Sequence, residues 1–314
     1  MNRRRLLIPT LVLSAVLAAC TGGSGALGTV PPAPTSSAPA VDQGSPDVPP
    51  ASPTASPSAD TSAEPSPTGT TIVRAYFFLA GPPGSAGPVP VLREIPATKA
   101  TATAAMTALL AGPNDAEQKA SISTAIPAGT QLLDLTVKSG VATVDLSREF
   151  ESGGGSASVL GRLAQVVYTL TQFPTVKSVV FEVEGQPVTT FSGQGVVLDG
   201  PVTRADYNDL LPAIFVDRPA YGAALGNPGR VTGSANVFEA TFKVQLLDAA
   251  GHILVDQQVM ATCGACPVRG TFDTTLHYTV AKGQYGTLRV LDLSAKDGSP
   301  ENVRDYAAWL TPAP

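Results

Sequence analysis

Three groups of residues in this chain are spaced so that they could do chemistry. Cys263 and Cys266 stand in "TCGACPVRG" at a CxxC spacing, which serves thiol–disulfide exchange when a helix N-terminus lowers the pKa of the first thiol. Glu182 and Glu184 in "FEVEG" could be paired acids for glycoside cleavage. "AKDGSPEN", Ala295 to Asn302, gathers oxygen ligands of the type that calcium takes. Each group also has a plainer reading. The CxxC runs into Pro267 and then a strand pattern, so it sits in a connection and not at a helix start. Glu182 and Glu184 share one strand face, opposite Val179, Phe181 and Val183, and read as its solvated side. An Asp-Gly-Ser-Pro turn forms without an ion, and a single CxxC cannot bind zinc alone.

Other machinery is sparse. The two histidines are His252, after a turn glycine, and His277, on a polar strand face. The chain has no GxSxG elbow to serve with them and no Gly-Lys pair for a phosphate-binding loop. "GSGALG", Gly23 to Gly28, matches GxGxxG by letters only, because no strand precedes it and no helix follows. No catalytic residue, metal-ligand set or cofactor is assigned, and ligand-binding residues are not readable.

The N-terminus sets the compartment in which the cysteines work. "MNRRRLLIPTLVLSAVLAAC" has Arg3, Arg4 and Arg5, a short apolar run and small residues before Cys20, the pattern of a secretory leader. "LAAC" resembles a bacterial lipobox, so residues 1–19 are expected to be removed and Cys20 to carry lipid. Several acyl chains hold a protein firmly, since each buried methylene contributes about 0.8 kcal/mol. The expected location is the cell membrane, lipid-anchored, on the extracytoplasmic face. With Cys20 lipidated, Cys263 and Cys266 are the only remaining pair, and on the oxidising side a structural disulfide is favoured over free thiols or redox exchange. Losing the leader makes the chain three units more negative than its formal −5, so nucleic acid is not an expected partner.

Residues 20–70 are dominated by Pro, Ser, Thr, Ala and Gly. Such a segment cannot bury enough apolar surface to order itself, and as a coil it reaches roughly 40 Å. Beyond it the pattern is mixed α/β. "TIVRAYFFLA" and "VPVLREI" read as strands, and "KATATAAMTALLAGP" as a helix with Ala102, Met106, Leu109 and Leu110 on one face. "TQLLDLTVKSGVATVDLS" reads as a hairpin turning at Ser139-Gly140. "SASVLGRLAQVVYTLTQFP" is a second helix, with Val159, Leu163, Val166, Val167 and Leu170 inward, before the strands "VKSVVFEVEG" and "PVTTF".

The period then changes to two. In "NVFEATFKVQLLD", Phe238, Ala240, Phe242, Val244 and Leu246 alternate with polar residues, and in "TFDTTLHYTV" Phe272, Leu276, Tyr278 and Val280 do the same. With "AIFVDRP", "GRVTGSA", "HILVDQQVMA", "GTLRVLDLSA" and "VRDYAAWLT" there are about seven short strands, as in an immunoglobulin-like sandwich.

The succession "LLAGP", "AIPAGTQLLDLTV", "GVATVDLSREF", "VVYTLTQFPTVKSVVFEVEGQPV" resembles the GerMN domain over about residues 72–198. "IFVDRPAYGAALGNPGRVTGSANVFEATF" and "LDLSAKDGSPENV" resemble the Gmad2 domain over about residues 212–311. The expected fold class is α+β, a mixed α/β GerMN-like domain (71–200) followed by an all-β immunoglobulin-like sandwich (212–311). The resemblance implies a germination- or sporulation-associated lipoprotein that binds or assembles with envelope proteins or cell-wall polymer, without established catalysis. An envelope hydrolase or small-ligand receptor is the rival reading. Weak self-association through residues 72–198 is also expected, because "TIVRAYFFLA" or "PVTTF" at an open sheet edge could recruit another copy.

Overall fold

Branched and aromatic residues crowd "TTIVRAYFFL", and the chain extends there into β1 (Thr70–Leu79), which buries Val73, Ala75 and Phe77. The computed structural model describes residues 69–191, 195–264 and 268–314. The leader 1–19, Cys20, the tether to residue 68, "GSGALG" and Cys266 therefore lie outside the described residues.

β1 pairs antiparallel with β2 (Gly87–Pro96) along its whole length. Helix α1 (Thr101–Leu110) buries Met106 and Leu109 as its spacing predicts. A second helix, α2 (Asp115–Lys119), is too short to show a period, but its start is written in the sequence. Asn114 accepts from the Glu117 amide and Glu117 accepts from the Asn114 amide, a reciprocal cap. β3 (Ile122–Ser123) then returns to pair with the end of β1.

β4 (Leu132–Lys138) and β5 (Val141–Leu146) form the expected hairpin. Ser139 and Gly140 both take positive φ, 49° and 87°, as a two-residue turn matched to strand twist requires. Helix α3 (Ser156–Leu170) crosses from β5 to β6 (Ser178–Val183), which lies parallel to β5. The stretch "PVTTF" is divided. β7 (Gln186–Pro187) completes the sheet β4-β5-β6-β7, while β8 (Thr190–Phe191) pairs with β9 (Val196–Val197) as a separate ribbon.

α3 does more than bury an apolar face. Gln165 donates to the Tyr76 carbonyl at 2.9 Å, Thr169 accepts from the Tyr76 amide at 3.2 Å, and Gln172 accepts from and donates to Arg74 backbone at 2.8 and 2.6 Å. Gln165 and Thr169 on one face of α3, with Gln172 just past its end, thus satisfy the strand edge that β3 leaves unpaired. The expectation of an open edge on this strand is corrected from Arg74 to Tyr76.

The second half is a two-sheet sandwich. β10 (Ile214–Arg218), β12 (Gly229–Ala235) and β15 (Gly270–Leu276) form one sheet in the order β10-β12-β15. The other runs β11-β17-β16-β13-β14, built from β11 (Ala224–Leu225), β13 (Thr241–Leu247), β14 (Ile253–Met260), β16 (Gln284–Leu293) and β17 (Pro300–Leu310). Phe242 and Phe272 meet edge to face across the sheets at 4.9 Å. The two-residue β11 raises the described strands to eight. Phe238, expected inward, is 70% exposed, because positive φ at Glu239 and Ala240 turns the chain just before β13.

The described residues fall in a single compact unit, and one core runs through both halves. Arg304 of β17 is 3% exposed and donates to three carbonyls of the β1–β2 region, Ser85 at 2.6 Å, Gly87 at 3.2 Å and Pro88 at 2.9 Å. A Cβ at Gly87 would lie 2.6 Å from the Leu210 carbonyl oxygen, so only glycine allows this approach.

Candidate functional site

Strand geometry places Arg74 and Tyr76, two apart, on the same face of β1. β10 carries Asp217 at the end of the apolar run "IFVDR", and a 3-10 turn, Arg204–Leu210, opens with Arg204 under a Thr203–Asp206 cap. These four side chains converge where the two halves meet. Asp217 Oδ1 accepts from the Tyr76 hydroxyl at 2.6 Å. Arg204 Nη1 stands 3.7 Å from Oδ1 and Arg74 Nη1 3.7 Å from Oδ2.

Arg204 is held from several sides. It donates to Thr171 Oγ1 at 2.8 Å and the Tyr168 carbonyl at 3.0 Å, and its guanidinium lies over the Tyr168 and Tyr76 rings at 4.8 and 5.3 Å. Burial opposes its charge, but Tyr76 and Asp217 outweigh that and raise its pKa. Burial, then the Asp217 charge, hold the Tyr76 hydroxyl well above the ordinary tyrosine value. Burial pushes Tyr168 up to about 12, against the pull of Arg204. Tyr76 therefore stays protonated and acts as a fixed hydrogen-bond donor.

Beside this cluster lies a groove of about 780 Å³, walled by Tyr168 and Arg204 on one side and by Phe215, Asp217, Thr232 and Ser234 on the other. At its rim Arg230 and Asp273 form a bidentate pair at 2.9 and 2.5 Å. Each guanidinium here faces a carboxylate, so the groove presents hydroxyls and aromatic faces more than net charge.

Residues 74–189 match the family model Germane, described as sporulation and spore germination, and residues 213–299 match Gmad2, an immunoglobulin-like domain of bacterial spore germination. These residues form a GerMN-like domain followed by a Gmad2 domain. Among solved structures, the first GerMN domain of the sporulation protein GerM from Bacillus subtilis is 19% identical, covering 43% of this chain and 98% of its own, with a TM-score of 0.36. The tandem GerMN domains of the same protein are 16% identical, with 67% of this chain and 62% of that one covered and a TM-score of 0.38. No curated protein matches the chain.

The residues singled out by spacing do not gather at the groove. Cys263 lies in the connection between β14 and β15 of the Gmad2 domain, while Cys266 is outside the described residues. The described ends of that connection are closely packed. A Cβ on Gly264 would strike the Ala240 amide, and one on Gly270 would strike the Cys263 backbone. His252 is exposed and packs at 3.1 Å on Asp248, and His277 is exposed, with neither lining the groove. In the GerMN domain Glu182 lies on β6, but Glu184 sits past its end at φ 52° and accepts from the Arg148 amide, so the two are not a strand-face pair. Asp297 accepts from the Ser299 amide and hydroxyl and closes its turn internally. No cluster of three or more metal-ligating side chains occurs among the described residues.

Sequence reasoning missed Arg74, Arg204 and Asp217. The available signal was a charge in the middle or at the end of an apolar strand run, "IVRAYFF" and "IFVDR", where burial demands a partner.

Proposed function

We propose that this chain is a lipid-anchored, extracytoplasmic binding and assembly module of the bacterial envelope, associated with sporulation or germination, and that it acts without catalysis. The observation that carries this reading is the junction itself. Two domains are joined by the Asp217 cluster and the Arg304 clamp into one unit with a preformed groove. A preformed site limits the ordering cost of binding. The titratable groups there are held in fixed protonation states or paired with each other, which suits recognition better than proton transfer. Its partners are envelope proteins or cell-wall polymer.

The anchor is Cys20, behind "LAAC". Cys263 and Cys266 form a local disulfide in this reading, a staple on an already tight loop. Self-association is weak and uses β4, the outer strand of its sheet, where Leu133 and Val137 are 47% and 39% exposed.

Metabolic labelling with a fatty-acid probe tests the anchor. The wild type should take the label and fractionate with membranes, and Cys20→Ala should do neither. An unlabelled wild type would overturn the anchored reading. Sedimentation of the Cys20→Ser chain from dilute to high concentration, with and without Val137→Lys, tests the assembly surface. An ideal monomer throughout would remove it.

A further inference from the structure

A second recess at the domain junction, about 610 Å³, has a different character from the groove. Arg74 of the GerMN domain and Arg218 and Arg230 of the Gmad2 domain line it, and among the described residues no carboxylate does. This is unexpected in a chain with a formal charge of −5.

The three guanidinia are not equally free. Arg230 is committed to Asp273 at the rim. Arg218 is exposed and its side chain makes no hydrogen bond or ion pair among the described residues. Arg74 is the informative one, because its side chain is only 13% exposed and its ion-pair partner, Asp217, is 3.7 Å away, too far for a hydrogen bond. Its Nε is fully buried without any partner. The protein itself therefore does not satisfy this guanidinium fully, and Arg74 is one of the three arginines that line the recess. The charges around this point are Arg74, Arg204, Arg218 and Arg230 against Asp217, Asp273 and Glu94, which is exposed opposite Ile72 on β2, so a positive excess remains. The rest of the lining is apolar, including Ile72, Leu92 and Phe173, with Ile72 and Leu92 respectively 64% and 38% exposed.

We infer that this recess binds a phosphate group carried on a molecule with an apolar portion. The planar fork of arginine matches phosphate oxygens in a bidentate way. Arg74 and Arg218 approach from the two domains, and the apolar part lies against Ile72 and Leu92. This inference rests on the binding-module reading and names one ligand chemistry for it. The same group could come from a small soluble phosphate ester or from an anionic lipid headgroup, within reach of a tethered chain.

Calorimetric titration of the Cys20→Ser chain with inorganic phosphate and with phenyl phosphate, at low and moderate salt, tests it. Phenyl phosphate should bind more tightly than inorganic phosphate, and salt should weaken both. Arg74→Gln and Arg218→Gln should each weaken binding about tenfold or more, while Lys138→Gln, which removes one exposed charge on β4, should not. The exposed Arg218 side chain has no hydrogen bond or ion pair to lose among the described residues, so its variant keeps the test valid if Arg74→Gln folds poorly. Vesicles of phosphatidylcholine with and without phosphatidic acid separate the sources. Arg218-dependent retention on the acidic vesicles identifies a headgroup, and phenyl phosphate binding without retention identifies a soluble ester. Absence of binding to both phosphates and to acidic vesicles, or binding indifferent to both arginine variants, would overturn the inference. Fatty-acid labelling at Cys20 would be untouched by that failure, so the anchored-module reading would stand or fall separately.

Discussion

Arg304→Met should weaken the whole molecule and uncouple its halves. The side chain is 3% exposed and donates to the carbonyls of Ser85, Gly87 and Pro88, all in the GerMN domain. Breaking a buried, hydrogen-bonded charge typically costs about 3–5 kcal/mol. Two features place the expectation at the low end. Nε already lacks a partner in the wild type, and burial already presses against the charge by lowering the arginine pKa. Methionine also fills much of the vacated volume. A loss of about 3 kcal/mol should lower Tm by roughly 6–12 °C in a unit of this size. The assay separates the halves, because the described α-helices all lie in the GerMN-like half and the single tryptophan, Trp309, lies on β17 of the sandwich. Far-ultraviolet dichroism and tryptophan fluorescence should report one coincident transition in the wild type and two separated midpoints in Arg304→Met. A shift below about 1 kcal/mol with coincident midpoints would refute the clamp, since it would mean the three carbonyls find other partners at little cost.

Tyr76→Phe should lose about 1.5–3 kcal/mol in chemical denaturation, as it leaves Asp217 Oδ1 without its 2.6 Å donor; a neutral result would mean that the arginines hold Asp217 by themselves. Tyr168 has a folded pKa of about 12, raised chiefly by burial, and Tyr76 and Tyr207 are raised for the same first reason. Raised values contribute stability that is complete below pH 10 and lost as pH rises from 10 through the folded values, so absorbance at 295 nm should show tyrosines that ionise only with alkaline unfolding. Ionisation of all seven tyrosines near pH 10 in the folded chain would contradict this. For the proposed Cys263–Cys266 staple, Cys263→Ser should lower Tm by only a few degrees, because closing a four-residue loop is worth about 2 kcal/mol. Gly264→Val should do more harm than that, because its side chain would meet the Ala240 backbone; an unchanged melting curve would show that the connection is loose.

The sequence by itself determined the elements and their order. Period 3.6 in 101–110 and 156–170, period 2 in the later strands and the turn at Ser139-Gly140 are local patterns, and side-chain geometry converts them directly into helices, strands and a hairpin. The family resemblance was equally legible, since it is carried by runs of contiguous letters. Short features escaped for the opposite reason. Five residues of α2 and two of β11 do not span enough of a period to register, and positive φ at Glu239 ended an alternation that continued on paper through Phe238. The junction was decided only in three dimensions. Arg74, Arg204 and Asp217 are separated by up to 143 positions, and nothing in the spacing of single charges says which will meet. Their meeting depends on α3 sealing the edge of β1 and on the outer face of β10-β12-β15 docking beside it. Once those surfaces close and water is excluded, a buried charge must have a partner, and the fold's choice of partner creates the site.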